Sequence, residues 1–238
     1  MDVEQIIILE HIALTKAFDQ FLPLCHDLTS WQLFVAFCDK YLEKNHHAKE
    51  EKFIFSAVRS DSRIRMGGPL CTLYFDQYLQ SPAIARAQKV IQDILSTHLF
   101  KQKIDKEKID ELIKPQWGED FALDISTNSP LLIPAGDHVA GRMLLHFADT
   151  LLALENGAAD GVQTALISSN NFELSLKTIF FHYREIQVDH FVREEKCFLK
   201  MCQSLILADD WSNIAHSIID QYPLITDDLL TKHFAKAQ

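Results

Sequence analysis

Two stretches of this chain carry the same phrase. His46-His47-Ala48-Lys49-Glu50-Glu51 and His190-Phe191-Val192-Arg193-Glu194-Glu195 each read histidine, two variable residues, a base and a glutamate pair. On a helix, residues four apart lie one above the other, with about 5 to 6 Å between Cβ atoms, so an imidazole and a carboxylate at this spacing can close on one cation. The chain holds 11 histidines and 13 glutamates in 238 residues. Chance then supplies about 0.03 copies of His-x-x-x-Glu-Glu, whereas His-x-x-x-Glu alone is expected about 0.6 times. The doubling therefore carries the argument. The alternative for each copy is a solvated i,i+4 pair with the preceding base as its partner. His47 and Glu51 repeat the spacing one residue on, about 100° round the helix, and read as such a solvated pair, with the alternative that they are the ligands in place of His46 and Glu50.

Two further histidines occupy facing positions. His11 follows Glu10 on an apolar helix face between Ile7, Ile8, Leu14 and Phe18, where an imidazole needs a partner to justify burial. Alone it reads as a core histidine. His138, in Asp137-His138-Val139, reads alone as a polar residue near a helix start. Together the four give one histidine on each of four helices and a glutamate on two, the composition of a carboxylate-bridged two-metal centre inside a bundle. The expected ligands are His11, His46, Glu50, His138, His190 and Glu194, with Glu50 and Glu194 as bridges. Imidazole and carboxylate without thiolate favour two iron ions, with manganese or zinc as competitors.

The elements that must position these groups are helical. Apolar residues recur at helical spacing over residues 2–24, and again from Trp31 through Phe34, Phe37 and Leu42 to about Val58, with Asp27 or Thr29-Ser30 as caps. Gly67-Gly68-Pro69 interrupts the pattern before short stretches at 70–79 and 82–99, and 101–128 reads as a charged helix followed by a polar loop. Asp137 can cap a helix running to Asn156-Gly157. A long helix follows over 172–207, and a helical tail over 211–235 is broken at Pro223. Strand signals are nearly absent. The fold class expected is all-α: an antiparallel four-helix bundle in one domain over 1–238, with an insertion at about 81–128 and a helical extension at about 208–238.

Composition narrows the function classes. Against 23 Lys+Arg stand 33 Asp+Glu, a formal charge of -10 that repels nucleic-acid phosphates and anionic lipid surfaces. Neither nucleic acid nor membrane is an expected partner. No apolar run approaches the roughly 20 residues needed to span a bilayer, and Asp2 and Glu4 argue against a signal peptide, so a cytoplasmic location is expected. Cys25, Cys38, Cys71, Cys197 and Cys202 lack the Cys-x-x-Cys spacing of zinc ribbons and read as buried free thiols.

The motifs resemble the hemerythrin-like family, the bundles with the HHE cation-binding signature. The resemblance rests on Glu10-His11, on 46–55 (HHAKEEKFIF), on 137–144 (DHVAGRML) and on 190–199 (HFVREEKCFL), and spans most of the chain outside about 81–128. It implies a non-haem di-iron centre held by the six residues above. Arg142 stands where oxygen-carrying members have a second histidine on the third helix, so the chain is more similar to the four-histidine, two-glutamate branch, which includes proteins proposed to repair iron centres after oxidative or nitrosative stress. Gly68-Pro69-Leu70-Cys71 also resembles the lead-in to the third helix, with Gln77 at the matching position; Ser129-Pro130-Leu131 offers the same lead-in with His138 present. His138 is taken as the ligand, and Gln77, Arg142, His182 and Tyr183 as groups near the metals that do not ligate them. The function expected is binding or reduction of a small ligand such as O₂, NO or peroxide in an apolar lining of Phe18, Phe37, Phe53, Phe180 and Phe198. The alternatives are a sensing module that signals to a protein partner through the extra helices, and a di-iron oxygenase on an organic substrate with the insertion as its lid.

Overall fold

The computed structural model describes residues 1–60, 81–96, 106–114, 132–155 and 170–235. The competing lead-in at 68–71, Cys71 and Gln77 lie outside them. Helix α1 (Val3–Phe21) starts from a reciprocal capping box in which the Asp2 carboxylate accepts from the Gln5 backbone N–H at 2.8 Å and the Gln5 side chain accepts from the Asp2 N–H. Such a cap is worth about 1 kcal/mol. Asp27 and Ser30 build the same device ahead of α2 (Leu28–Phe37). The rod then continues as π-helix over Cys38–His47 and Glu50–Phe55 before α3 (Ser56–Ser60). Next come α4 (Pro82–Ser96), α5 (Lys106–Ile113), α6 (Leu132–Glu155) and α7 (Asn170–Arg193). A second π stretch, Glu194–Phe198, leads from α7 into α8 (Leu199–Leu205), followed by α9 (Ala208–Gln221) and α10 (Asp227–Phe234). The π turns fall on the two rods that carry the repeated phrase, and two of them begin at Glu50 and Glu194; such wide turns concentrate at functional sites because they re-aim side chains.

Two apolar cores lie along the bundle, and their membership fixes the direction of each rod. One contains Val3, Ile6 and Ile7 of α1, Ile54, Phe55 and Val58 of the second rod, Ala135 of α6, and Phe198, Leu199 and Cys202 of the last. The larger contains Ala13, Leu14 and Phe18, then Phe34 to Leu42, Val139 to Leu152, and Leu176 to Phe191. The first and third rods therefore run from the small core to the large one, and the second and fourth run back. This is the up-down-up-down antiparallel bundle. Residues 10–11, 46–50, 137–138 and 190–194 fall between the cores, in one polar layer.

The remaining helices are packed onto this frame. Helix α4 buries Ile84, Ala87, Ile91 and Ile94 against α6 and α7, so the segment read as an insertion supplies part of the bundle wall. Helices α9 and α10 flank Pro223 and pack against α1, with Phe21 and Phe234 stacked at 3.7 Å between centroids. One boundary differs from expectation: α6 begins at Leu132, not at Asp137. Pro134 is tolerated in its first turn, where N–H groups lack helical acceptors, and Asp137 is released for another task. Among the cysteines, Cys25, Cys38 and Cys202 are buried as expected, burial pushing the Cys25 thiol up to about 12. Cys197 is exposed. No described helix is long and apolar enough to cross a membrane.

Candidate metal centre

The six residues singled out by spacing converge. One ligand atom from each of His11, His46, Glu50 and Glu194 lies within 4.8 Å of the others, and Glu50, His138, His190 and Glu194 form a second such group. The two groups share both glutamates. Nε2 of His11 is 3.1 Å from Nε2 of His46, and Nε2 of His138 is 3.1 Å from Nε2 of His190. Glu50 turns Oε1 toward His46 at 3.2 Å and Oε2 toward His138 at 3.3 Å, one oxygen to each half. Glu194 Oε2 stands 3.4 Å from His11 and 3.5 Å from His190. All six side chains are at most 2% exposed.

Each imidazole is held from behind by a carboxylate on its Nδ1. Glu195 holds His11 at 2.9 Å, Glu10 holds His46 at 2.9 Å, Glu51 holds His138 at 2.8 Å, and Asp137 holds His190 at 3.3 Å. An ionised carboxylate only accepts, so each Nδ1 carries a proton, and the Nε2 of each ring presents a lone pair whenever the ring is neutral. The bracing is cyclic: Glu10 of the first rod holds His46 of the second, Glu51 of the second holds His138 of the third, Asp137 of the third holds His190 of the fourth, and Glu195 of the fourth holds His11 of the first. The base of each phrase completes the circuit, Lys49 donating to Glu10 at 2.5 Å and Arg193 to Asp137 at 2.6 Å. Burial raises Glu10 and lowers Lys49, and each partner's charge opposes the other's shift. The backbone N–H of Ile225 also donates to Glu10 at 3.1 Å, so the turn between α9 and α10 is tied to the same circuit.

Two unprotonated Nε2 atoms facing each other at 3.1 Å repel, so each pair needs a proton or a cation between its nitrogens, and no oxygen of Glu50 or Glu194 has a hydrogen-bond partner. Buried acceptors are rarely left so. A pair of cations fits this donor set: each would take two imidazole Nε2 atoms and share two carboxylates. The electrostatics agree. Burial and then Glu194 push Glu50 up to about 8. Burial opposes charge on His190, but Glu194, Asp137 and Glu50 outweigh it and hold the imidazole at about 10. Burial, and then neighbouring cationic groups, keep His46 and His138 well below their ordinary value. The cluster thus holds protons where a metal would sit.

Groups expected near the metals divide. Arg142 donates to Glu51 at 2.9 Å and so acts on His138. Tyr183 OH donates to Glu43 at 3.0 Å, and Glu43 holds Nδ1 of His47 at 3.0 Å. His182 is half-buried and accepts from Arg86 at 3.0 Å, with no contact to the cluster. His47 and Glu51 are not the solvated pair that spacing alone implies: His47 is fully buried and Glu51 braces His138. Of the expected lining, Phe18, Phe37, Phe180 and Phe198 are buried, while Phe53 is half-buried beside Tyr222. The rings that do face the imidazoles are Phe191, stacked on His11 at 4.1 Å, and Phe55, stacked on His138 at 5.3 Å.

The all-helical fold and the buried His/Glu cluster are consistent with a hemerythrin-like di-metal site. Comparison of the chain with protein-family models, with curated proteins and with solved structures gives no match.

Proposed function

We propose that this protein holds two iron ions through His11, His46, His138, His190 and the bridging pair Glu50 and Glu194, and binds or reduces a small ligand such as O₂, NO or peroxide. The observation that carries this reading is the orientation of the donors: four protonated Nδ1 atoms braced by carboxylates leave four Nε2 lone pairs converging on two unpartnered, buried glutamates. Manganese and zinc suit the same atoms, and iron is chosen because imidazole and carboxylate without thiolate serve it well. An iron pair supplies redox change and coordination positions left open by six side chains. The chain's part is to hold the imidazoles in one tautomer, to keep bulk water out with two apolar cores, and to present charged acids behind each histidine. This suits a role in oxidative or nitrosative stress or in repair of iron centres.

The test is anaerobic loading with ferrous iron followed by metal analysis and exposure to O₂, NO and peroxide. Two ions per chain and ligand-dependent absorption bands are expected; iron binding below one per chain refutes the reading. A second reading, that the centre is a sensor, is favoured by one contact, the Ile225 N–H on Glu10, which links α9 and α10 to the brace of His46. It predicts that ligand binding changes protease access to residues 222–226.

A further inference from the structure

The two halves of the centre match residue for residue except on one side. The residue after each phrase histidine stacks on the single histidine of a neighbouring rod: Phe191 on His11 at 4.1 Å and 15°, His47 on His138 at 3.7 Å and 16°. A phenyl ring suffices for that stack, and an imidazole brings two polar nitrogens into the core at a desolvation cost. Its Nδ1 is taken by Glu43, but Nε2 is buried without a partner. A ring nitrogen of His47 lies within 4.8 Å of those of His138 and His190. His47 is nonetheless not a third imidazole for the same ion. Lone pairs lie in the ring plane, and stacked planes this far apart cannot both aim at a point about 2 Å from each nitrogen.

The position three residues, about one turn, beyond each single histidine adds to the asymmetry. Where α1 has Leu14, the equivalent position of α6 is Gly141. A Cβ at Gly141 would meet Gln187 Nε2 at 2.4 Å and come within 3.4 Å of Glu43 Oε1. The glycine therefore admits the Gln187 carboxamide, which is fully buried with neither Nε2 nor Oε1 partnered. A cleft of about 930 Å³ is lined by Glu43, Ala48, Arg142 and Leu145, and so ends at the carboxylate that holds His47 and at the arginine on the brace of His138. The other half has Leu14 and Phe191 in the corresponding positions.

We propose that the small ligand enters by this cleft and binds on the His138–His190 half, with His47 Nε2 and the Gln187 carboxamide as its hydrogen-bonding partners. The inference rests on the two-iron reading above and deepens it. With its proton held toward Glu43, His47 Nε2 accepts, so it favours a ligand with a proton on oxygen, the peroxide class, over an anion that can only accept. Gln187 offers a donor and an acceptor and serves either kind.

The test titrates oxidised, iron-loaded protein with hydrogen peroxide and, separately, with azide, following absorbance and counting iron per chain. His47→Phe, the residue used by the other half, is expected to keep two ions, to weaken peroxide about tenfold and to leave azide within about twofold. Glu43→Gln keeps the shape but lets its amide donate to Nδ1, turning Nε2 into a donor; it is expected to tighten azide and weaken peroxide. Unchanged peroxide affinity in both variants, equal weakening of both ligands in His47→Phe, or loss of one ion from it overturns the proposal. Failure of the wild-type protein to bind iron overturns the two-iron reading itself, a result distinct from these.

Discussion

The His11–His46 half and the His138–His190 half of the centre are built from the same parts. In each, an acid precedes a lone histidine, a base precedes a glutamate pair, and every imidazole is braced from another rod. The halves part company only in what surrounds them: Leu14 and Phe191 seal one, while Gly141, His47 and Gln187 leave unpartnered polar atoms beside the other. On the two-iron reading, repetition of the donors and divergence of the surroundings separate the holding of ions from the meeting of a ligand. The first constrains both halves, and the second needs only one.

The comparison breaks most severely at the shared glutamates. Glu50→Ala or Glu194→Ala removes a carboxylate that faces both halves, and metal analysis should fall from two ions per chain toward zero. His11→Ala or His138→Ala touches one half, and one ion should remain. Equal losses in the two classes would contradict the bridging assignment. Chelation should follow in size: at ligand concentrations near a thousand times Kd, binding contributes about 4 kcal/mol, so the melting temperature should drop by about 8 to 16 °C on stripping the metal.

Acidity comes next, and its sign is fixed. His190 at about 10 and Glu50 at about 8 both hold protons at pH 7 in stripped protein, and a cation must displace them. Affinity should therefore rise with pH, by up to about a hundredfold per unit below pH 8 and about tenfold per unit from 8 to 10. Calorimetry in buffers of different ionisation enthalpy counts the protons; no proton release would refute the displacement. Smaller still are the braces. Glu10→Ala should weaken the His11–His46 ion, and Asp137→Ala the other, each by about 10- to 100-fold, and competition with a coloured chelator reads which half has changed.

Much of this was legible in sequence because two helical periods coincide with it. The i,i+4 phrase and the apolar spacing of α1 and α7 point the ligands inward without knowledge of how the rods pack. The braces were not legible, since Glu10 meets His46 and Glu195 meets His11 only across rods. Their signal was nevertheless in view: an acid stands before each lone histidine and a base before each glutamate pair. Ideal α winding takes His47 off the ligand face and implies a solvated side chain, whereas here His47 closes one π stretch, Cys38–His47, and a second begins at Glu50. Helix α6 starts early because Pro134 fits a first turn as well as a loop.

Anomalous diffraction at the iron edge from iron-loaded crystals tests the central claim most directly. Two peaks are predicted, one at the Nε2 atoms of His11 and His46 and one at those of His138 and His190, with Glu50 and Glu194 reaching both. A single peak, or one ligated by His47, would contradict it.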